Sequence, residues 1–558
     1  MASRCLEEER DIPLKLGEGT EQAAAEWATG ELALAVFAAP GPPQLAILGH
    51  LEQKDKLNLG ATCTSLQQAS LVWFPEVTAE VALGWINVAA LAAWLARHQA
   101  CLHLYDRTRN CWPSPWNDSL RALPASLVVS LTTSHHSCSK VSTLTALTKL
   151  QLEGLESLYE SISPRHLQPL TRLRQLGLRN GDIGSIVEEL LLLPALTGLE
   201  VLNLSSCSLQ TMPRALSAHS QLTALDLSNN LLSSTESLAT LQRLQSLNLS
   251  CCNLTAVPAQ LSALRALTSL DLTALRPRSN GWQHLLPLVQ LQSLILSSCN
   301  LTAVPAQLSV LTALTHVDLS HNDLLGSNWQ HLLPLTQLRH LDLSHCHLTA
   351  VPAQLSALRA LTSMDLTALR PCSNGWQHLR PLVQLRALNL KNSSAKTVPD
   401  QLSALTALTR LDLAGNKLKW GCQHLRSLTQ LQDLDLSGCK LKTVPDQLSA
   451  ALTRLNLHAS KKLAGGWQNL QCLTLLQDLD LSWCRLAAVP QQISVLTTLT
   501  NLDLSRNIQL TGDWQHLLPL TQLRFLDLRD AWLPRCEVPF ALAALAALPH
   551  LRVIHQSM

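Results

Sequence analysis

Histidine and cysteine side chains that could bind a metal stand close together in the segment SHHSC, at His135, His136 and Cys138. Imidazole nitrogens and thiolates suit zinc, whose structural sites normally combine two ligand pairs. The side chains of adjacent histidines diverge, however, and no second ligand pair lies nearby in the sequence. A glycine-rich phosphate loop, a kinase signature and a nucleophile elbow are also missing. We therefore expect no metal, no other cofactor and no enzymatic activity.

Four further histidines fall at equivalent places of a repeated segment, at His316, His321, His340 and His345. Their spacing predicts that they lie on the exposed side of neighbouring strands, where they could cluster. General acid–base chemistry needs such groups to be held around a substrate pocket. The sequence offers no carboxylate and histidine pocket of that kind, so these residues are interpreted as part of a polar binding surface.

The charge of the chain is nearly balanced. Its 558 residues include 42 Lys and Arg and 40 Asp and Glu, for a net charge of +2. This balance favours neither nucleic acid nor an anionic membrane as a partner. The opening MASRCLEEERDIPLKLGEGTEQ lacks the order of a signal peptide, and no apolar run is long enough to span a membrane. Sixteen cysteines without an export signal indicate free thiols, so we expect a cytoplasmic location, with the nucleus as an alternative.

The pattern L-x-x-L-x-L recurs seventeen times between Leu147 and Leu523, mostly every 22 to 24 residues. A fuller unit, LTALDLSNNLL from Leu222, reads L-x-x-L-x-L-x-x-N-x-L. This is the signature of leucine-rich repeats, and the chain resembles that family, in particular the short intracellular repeats of the plant Ras-group class. The resemblance implies an α/β solenoid with a curved parallel sheet on the inner face and short helices or irregular turns outside.

Elementary physical chemistry favours the same fold. In ALDLS the leucines alternate with polar residues, which is typical of a strand with one buried side. Return segments such as WQHLLPLVQL carry leucine at a spacing of three, which suits a short helix or turn. One unit cannot bury its leucines, whereas a stack of units can. Duplication lengthens the stack, since the 42 residues from Asn253 to Leu294 recur from His347 to Leu388 with six differences.

Small or amide side chains occupy the position written N in the unit, and we expect them to be buried. They are cysteine or asparagine in ten repeats: Cys207, Asn230, Cys252, Cys299, Asn322, Cys346, Asn416, Cys439, Cys484 and Asn507. In the return segments, VPAQL repeats alternate with WQ[HN]L repeats, which gives a super-repeat of about 47 residues. The tryptophans of this column are interpreted as packing residues.

One segment before the array does not follow the pattern of the repeats. It reads APGPPQLAILGHLEQKDKLNLGATCTSLQQASLVWF. It resembles the F-box, a three-helix module that docks a chain on the small Skp adaptor of cullin ubiquitin ligases. The resemblance implies five adaptor-docking residues: Ile47, Leu48, Leu51, Leu57 and Trp73. The usual opening of the module is replaced here by a stretch with Pro42 and Pro43, and prolines there delay the first helix. The alternative is a helical cap that covers the open end of the stack.

These features predict five regions along the chain. They are a poorly ordered leader at 1–38, the F-box-like segment or cap at 39–76, degenerate repeats at 77–146, the leucine-rich-repeat array at 147–530 and a C-terminal cap at 531–558. The degenerate repeats are expected because VTAEVALGWINVAALAAWLARHQACLHLYD reads as strand, helix and strand.

Charged columns along the repeats are candidate partner-binding sites. One column is an acidic stripe at the middle position of L-x-L. It would suit a basic partner, and the alternative is that aspartate is simply common at this position in such repeats. Its residues are Asp318, Asp342, Asp365, Asp412, Asp435, Asp480 and Asp503. A basic ridge after the position N would suit an acidic or phosphorylated partner, or is a solvated surface: Lys396, Lys417, Lys419, Lys440, Lys442, Lys461 and Arg485. A third column alternates in sign and is expected to neutralise itself: Arg410, Asp433, Arg454 and Asp478.

The sequence therefore predicts a protein that binds other proteins through its repeat surface. The first hypothesis is a substrate-recognition adaptor of a Skp–cullin–F-box ubiquitin ligase, in which the F-box-like segment docks the Skp adaptor and the repeats choose the substrate. The alternative is an intracellular leucine-rich-repeat scaffold or signalling protein without a ligase role. Neither nucleic acid binding nor a membrane span is expected.

Overall fold

The computed structural model describes residues 76–81, 88–106, 121–133, 141–154, 163–276, 281–324, 328–369, 375–418, 422–531, 548 and 551–554. The chain divides into two compact units, residues 1–244 and 245–558. The leader, nearly all of the F-box-like segment and most of the C-terminal cap lie outside the described residues. Within the described part, no helix combines the length and the apolar character that a membrane span requires.

Parallel strands make up the first unit. They are β1 Glu76–Val81, β2 Cys101–Asp106, β3 Val128–Thr133, β4 Lys149–Glu153, β5 Gln175–Arg179, β6 Val201–Asn203 and β7 Ala224–Asp226. Each pairs with the next in sequence. The helices are α1 Val88–His98, α2 Pro164–Leu167 and α3 Val187–Leu191, with 3₁₀ helices at Val141–Thr143, Pro194–Leu196, Arg214–Ala218 and Glu236–Thr240. The strand, helix and strand expected early in the chain are β1, α1 and β2.

The second unit repeats a three-residue strand and a 3₁₀ helix. The strands are β8 Ser246–Asn248, β9 Ser269–Asp271, β10 Ser293–Ile295, β11 His316–Asp318, β12 His340–Asp342, β13 Ser363–Asp365, β14 Ala387–Asn389, β15 Arg410–Asp412, β16 Asp433–Asp435, β17 Arg454–Asn456, β18 Asp478–Asp480, β19 Asn501–Asp503, β20 Phe525–Asp527 and β21 Arg552–Ile554. The 3₁₀ helices are Ala259–Ala263, Trp282–Leu285, Ala306–Val310, Trp329–Leu332, Ala353–Ala357, Trp376–Leu379, Asp400–Ala404, Cys422–Ser427, Trp467–Cys472, Gln491–Val495 and Trp514–Leu517. Consecutive strands pair in parallel.

Leucines of neighbouring repeats meet in register to form the core. The central residue of β10, Leu294, pairs with Leu270 on one side and Val317 on the other, and all three are fully buried. Burial of a leucine side chain is worth about 1.5–3 kcal/mol relative to leaving it exposed. The predicted α/β leucine-rich-repeat solenoid is therefore confirmed, and each repeat depends on its neighbours for its core.

The return segments form 3₁₀ helices because leucine recurs there at the period of that helix, three residues per turn. Leu285, Leu288 and Leu291 are fully buried. The N–H of Leu288 donates to the carbonyl of Leu285, and the N–H of Leu291 to that of Leu288, each at 3.0 Å. The expected outer helices and turns are confirmed, and in the second unit all the described helices are of the 3₁₀ type.

The tryptophans of the WQ[HN]L segments pack against the repeats, as the sequence predicts. Trp329 and Trp514 are buried. Trp282, Trp376 and Trp467 are half-buried. Since all five tryptophans are at least half-buried, they form part of the packing of the return segments.

The residue at the position N forms hydrogen bonds with the backbone of the loop that follows the strand. Asn507 is fully buried. Its Nδ2 donates to the carbonyl of Leu504 at 2.9 Å, and its Oδ1 accepts the backbone N–H groups of Cys484 and Leu486, both at 3.0 Å. Cys484 itself occupies the position N of the preceding repeat, where its Sγ donates to the carbonyl of Leu457 at 3.1 Å. A thiol is a weak donor and acceptor, so the asparagine secures the loop of its cysteine-bearing neighbour.

Replacing Asn507 by cysteine is expected to destabilise the second unit by about 1–3 kcal/mol, because two buried N–H groups lose a strong acceptor. A lower midpoint of urea unfolding, followed by circular dichroism, measures the effect. The matched control is Cys484→Ser, which keeps a donor as Ser393 does at the equivalent position, where its Oγ donates to a carbonyl at 3.3 Å. The control should move the midpoint little, and a wild-type midpoint for Asn507→Cys would contradict the assigned role.

Candidate protein-binding surface

The residue before the buried centre of each strand faces away from the core. In the second unit this residue is exposed at His316, His340, Arg410, Arg454 and Phe525. Phe525 leaves 44% of its surface accessible. This column of side chains has no part in the core and is free to meet a partner.

Opposite charges in this column pair with each other. The Nε of Arg410 lies 2.9 Å from Oδ2 of Asp433, and a guanidinium nitrogen of Arg454 lies 3.0 Å from the same oxygen. These residues are cross-strand neighbours in register. Asp478 instead hydrogen-bonds to Asn501. The predicted self-neutralisation is confirmed for the first three residues of the column.

The four histidines form two pairs. The rings of His316 and His340 are 4.9 Å apart between centroids and tilted by 30°, while those of His321 and His345 are stacked at 4.6 Å and 9°. Burial lowers the pKa of His340, and the nearby His316 and Arg339 lower it further. Among the described residues, no group of three or more His, Cys, Asp or Glu is placed to hold a metal ion. The segment SHHSC lies outside the described residues.

Residues of the acidic stripe cap the loop that follows their own strand. The Oδ1 atom of Asp318, Asp342, Asp365 and Asp412 accepts the backbone N–H two residues later at 2.8 Å. The same bond recurs at other stripe residues: Asp435, Asp480 and Asp503. Each carboxylate thus has a structural task in its own repeat, whatever it contributes to partner binding.

Asparagines relieve the repulsion along the stripe where they interrupt it. Nδ2 of Asn389 donates to Oδ2 of Asp365 at 2.8 Å, and Nδ2 of Asn456 to Oδ2 of Asp435 at 3.0 Å. Both asparagines also keep the cap, since their Oδ1 accepts the N–H two residues later. Burial is the main cause that raises the pKa of three stripe carboxyls: Asp342, Asp412 and Asp480.

The basic ridge is exposed at six of its seven residues: Lys396, Lys417, Lys440, Lys442, Lys461 and Arg485. Lys419 lies outside the described residues, as do the implied adaptor-docking residues: Ile47, Leu48, Leu51, Leu57 and Trp73. Lysine takes part in none of the salt bridges found in the described ranges. The ridge therefore presents cations that the fold itself does not neutralise.

Comparison with known proteins supports the repeat assignment. The family described as Leucine rich repeat matches residues 289–348, and further single repeats match 243–264 and 430–451. The chain carries leucine-rich repeats. Curated proteins provide no significant match to the sequence.

Two solved structures are among those similar to this chain. A leucine-rich-repeat protein of Leptospira interrogans is 23% identical, with a TM-score of 0.50 over 78% of this chain and 97% of that chain. An internalin of Listeria monocytogenes is 20% identical, with a TM-score of 0.42 over 65% of this chain and 88% of that chain. At 23% identity, the fold is what the Leptospira protein shares with this chain.

Sequence reasoning missed two aromatic residues of the repeat surface, Phe525 and Trp483. Trp483 follows β18 and is 41% exposed. The Nζ of Lys461 lies 3.7 Å from the centroid of its ring. The signal in the sequence is the tryptophan in LSWCRL, where other repeats have a small or polar residue, as in LSGCKL and LSHCHL.

Buried thiols at the position N are unsuited to chemistry. Burial raises the pKa to about 12 at each of five cysteines: Cys207, Cys299, Cys346, Cys439 and Cys484. A thiol is nucleophilic and metal-binding only as the thiolate. The predicted structural role of these residues is therefore supported by both their burial and their ionisation.

Asp342→Asn is expected to raise the midpoint of urea unfolding modestly at pH 7. Burial and the neighbouring carboxylates raise the pKa of Asp342, so its ionised form costs stability above that pKa, whereas asparagine keeps the cap without the charge, as Asn389 does. As the pH falls, Asp342 becomes protonated and the wild-type protein loses this destabilising charge. Below the ordinary pKa of a carboxyl, Asp342→Asn should therefore be no more stable than wild type.

The control variant is Asp342→Ala, which removes the 2.8 Å bond to the N–H of Ser344. It should lower stability by about 1 kcal/mol at low pH, and by less at pH 7, where removal of the charge offsets part of the lost hydrogen bond. An Asp342→Asn variant that is less stable than wild type at pH 7 would contradict the assigned balance between cap and charge.

Proposed function

We propose that this protein binds other proteins through the exposed side chains of its repeat surface. The observation that carries the proposal is the column of strand residues that the core does not use, with Phe525 among them. Aromatic and arginine side chains dominate the binding energy of protein interfaces. A surface assembled from side chains on rigid strands needs little ordering when a partner docks, which favours affinity.

Within this general role, we propose that the protein is the substrate-recognition adaptor of a Skp–cullin–F-box ubiquitin ligase in the cytoplasm or nucleus. The support is the resemblance of residues 39–76 to the F-box, which supplies a docking segment separate from the repeats. The repeats would then select the substrate. The alternative is an intracellular scaffold without a ligase role. Such a protein would bind partners through the same repeat surface but would not bind the Skp adaptor.

Substituting the strand surface should reduce partner binding without unfolding the protein. The variant combines His340→Ala and Phe525→Ala, and the readout is the set of proteins that co-purify with it, identified by mass spectrometry. Partners retained by wild type should be lost, because truncation of an interface hot spot costs about 2 kcal/mol or more. The matched control is Val289→Ala with Val383→Ala, two return-segment residues that are 53% and 48% exposed. Equal losses in both variants would refute the assignment of this face.

Docking to the ligase is tested with the purified Skp adaptor. Wild-type protein should retain the adaptor, and Leu48→Ala with Leu51→Ala should abolish retention while circular dichroism stays unchanged, since these leucines would form the apolar contact. The control is Leu32→Ala with Leu34→Ala, in the leader, which should bind as wild type does. A wild-type chain that does not retain the adaptor, or a double variant that still does, rules out the ligase role.

A further inference from the structure

Trp483 occupies a loop position that other repeats fill with small or polar residues. It follows β18 with a φ of 55°, in the left-handed region, and it is 41% exposed. At the same place the three preceding repeats carry Gly415, Gly438 and Ala459. His321, His345 and Arg506 stand at the same left-handed place, so the backbone there accepts a long side chain, but the exposed part of the indole gains nothing from the core. The fold therefore gives no reason for a tryptophan there.

Cationic side chains hold the indole in place. The Nζ of Lys461 lies 3.7 Å from the ring centroid, and the guanidinium carbon of Arg506 lies 6.0 Å from it. The ring of His458 is also 6.0 Å away, and its Nδ1 is hydrogen-bonded to Ser482 at 2.6 Å. Cation–π attraction of this kind restrains both partners. Trp483 is thus an exposed aromatic group flanked by basic side chains.

Positive charge continues along the same loops. The exposed residues after the strands include a basic one in five successive repeats: Lys417, Lys440, Lys461, Arg485 and Arg506. Among these five residues, the ion pair found in the described part of the chain joins Arg506 to Asp530 at 3.6 Å, with about half of each side chain exposed. Such a pair is weak in water and open to exchange with another carboxylate. In the same loop as Arg506, Ile508 leaves 59% of its surface exposed.

The arrangement suits carboxylates on a protein better than a nucleic acid backbone. The capping carboxylates of Asp480, Asp503 and Asp527 lie in the same repeats, only a few residues before the basic loops. A continuous line of phosphates would meet these acids as well as the bases. Separate carboxylates spaced along a peptide can pair with the cations and avoid the acids, and an apolar side chain between them can cover Trp483.

We propose that a patch on the second unit, defined by Lys417, Lys440, Lys461, Trp483, Arg485, Arg506 and Ile508, binds an acidic segment of the partner protein. An apolar residue of that segment lies against the indole, and its carboxylates pair with the flanking cations. The proposal rests on the proposed protein-binding function and names both the part of the surface and the chemistry of the partner.

The test selects random short peptides, displayed on phage, on immobilised full-length protein. Selected peptides should be enriched in Asp and Glu next to an apolar residue. The affinity of the most enriched peptide is then measured by fluorescence anisotropy at low and high salt. Trp483→Ala should weaken binding at least about tenfold, and Lys461→Glu with Arg506→Glu should weaken it further and reduce the salt dependence. The Trp483→Ala variant should fold, because Ala459 and Ala368 hold the same left-handed place with φ of 57° and 64°.

The charge-matched control is Arg265→Glu with Arg359→Glu, two exposed residues of return segments, which should bind the peptide as wild type does. Acidic peptides that bind all variants equally would overturn the patch while leaving a protein-binding function intact. Failure to select any peptide, or a selection without acidic enrichment, would overturn the proposal. Oligothymidylate that displaces the peptide and binds more tightly would also overturn it, in favour of nucleic acid.

Discussion

Contact between the leucines of neighbouring repeats is the interaction on which the rest of each unit depends. A three-residue strand such as β10 has one fully buried side chain, Leu294, and that side chain is covered by residues of the strands on both sides. No repeat has a core of its own, so the stability of a unit is built up from interfaces between repeats. The return segments add a second layer of leucines, in which a spacing of three matches the 3₁₀ helix.

The loop that follows a strand alternates buried and exposed residues, and an unpaired N–H group at its buried positions would be costly. The chain meets this requirement with two polar positions per repeat. The stripe residue after the strand centre, such as Asp342, accepts the N–H of its own loop. The residue at position N, such as Asn507, bonds the loops of its own and the preceding repeat. Both positions are occupied by short side chains because they act on nearby backbone.

The leucines form the core and the capping residues bond the loop backbone. The other strand and loop positions are therefore not needed for the fold. Those positions carry the features that vary between repeats: the histidine pairs, the Arg410, Asp433 and Arg454 cluster, and the loop bearing Trp483. Variation at such sites changes the surface without changing the core. This separation explains why a fold with so regular an interior can present a different chemical character at each end of its second unit.

The sequence alone determined the repeat, the buried and exposed positions and the alternation of the outer segments, because a period of 22 to 24 residues repeats the same local environment many times over. It also predicted the pairing of Arg410 with Asp433, since residues at one repeat position become neighbours in a parallel sheet. It did not reveal that the stripe aspartates cap their own loops, or that Lys461 lies over Trp483. Those contacts depend on the left-handed turn after each strand and on the side-chain directions it sets, which only the folded stack of repeats decides.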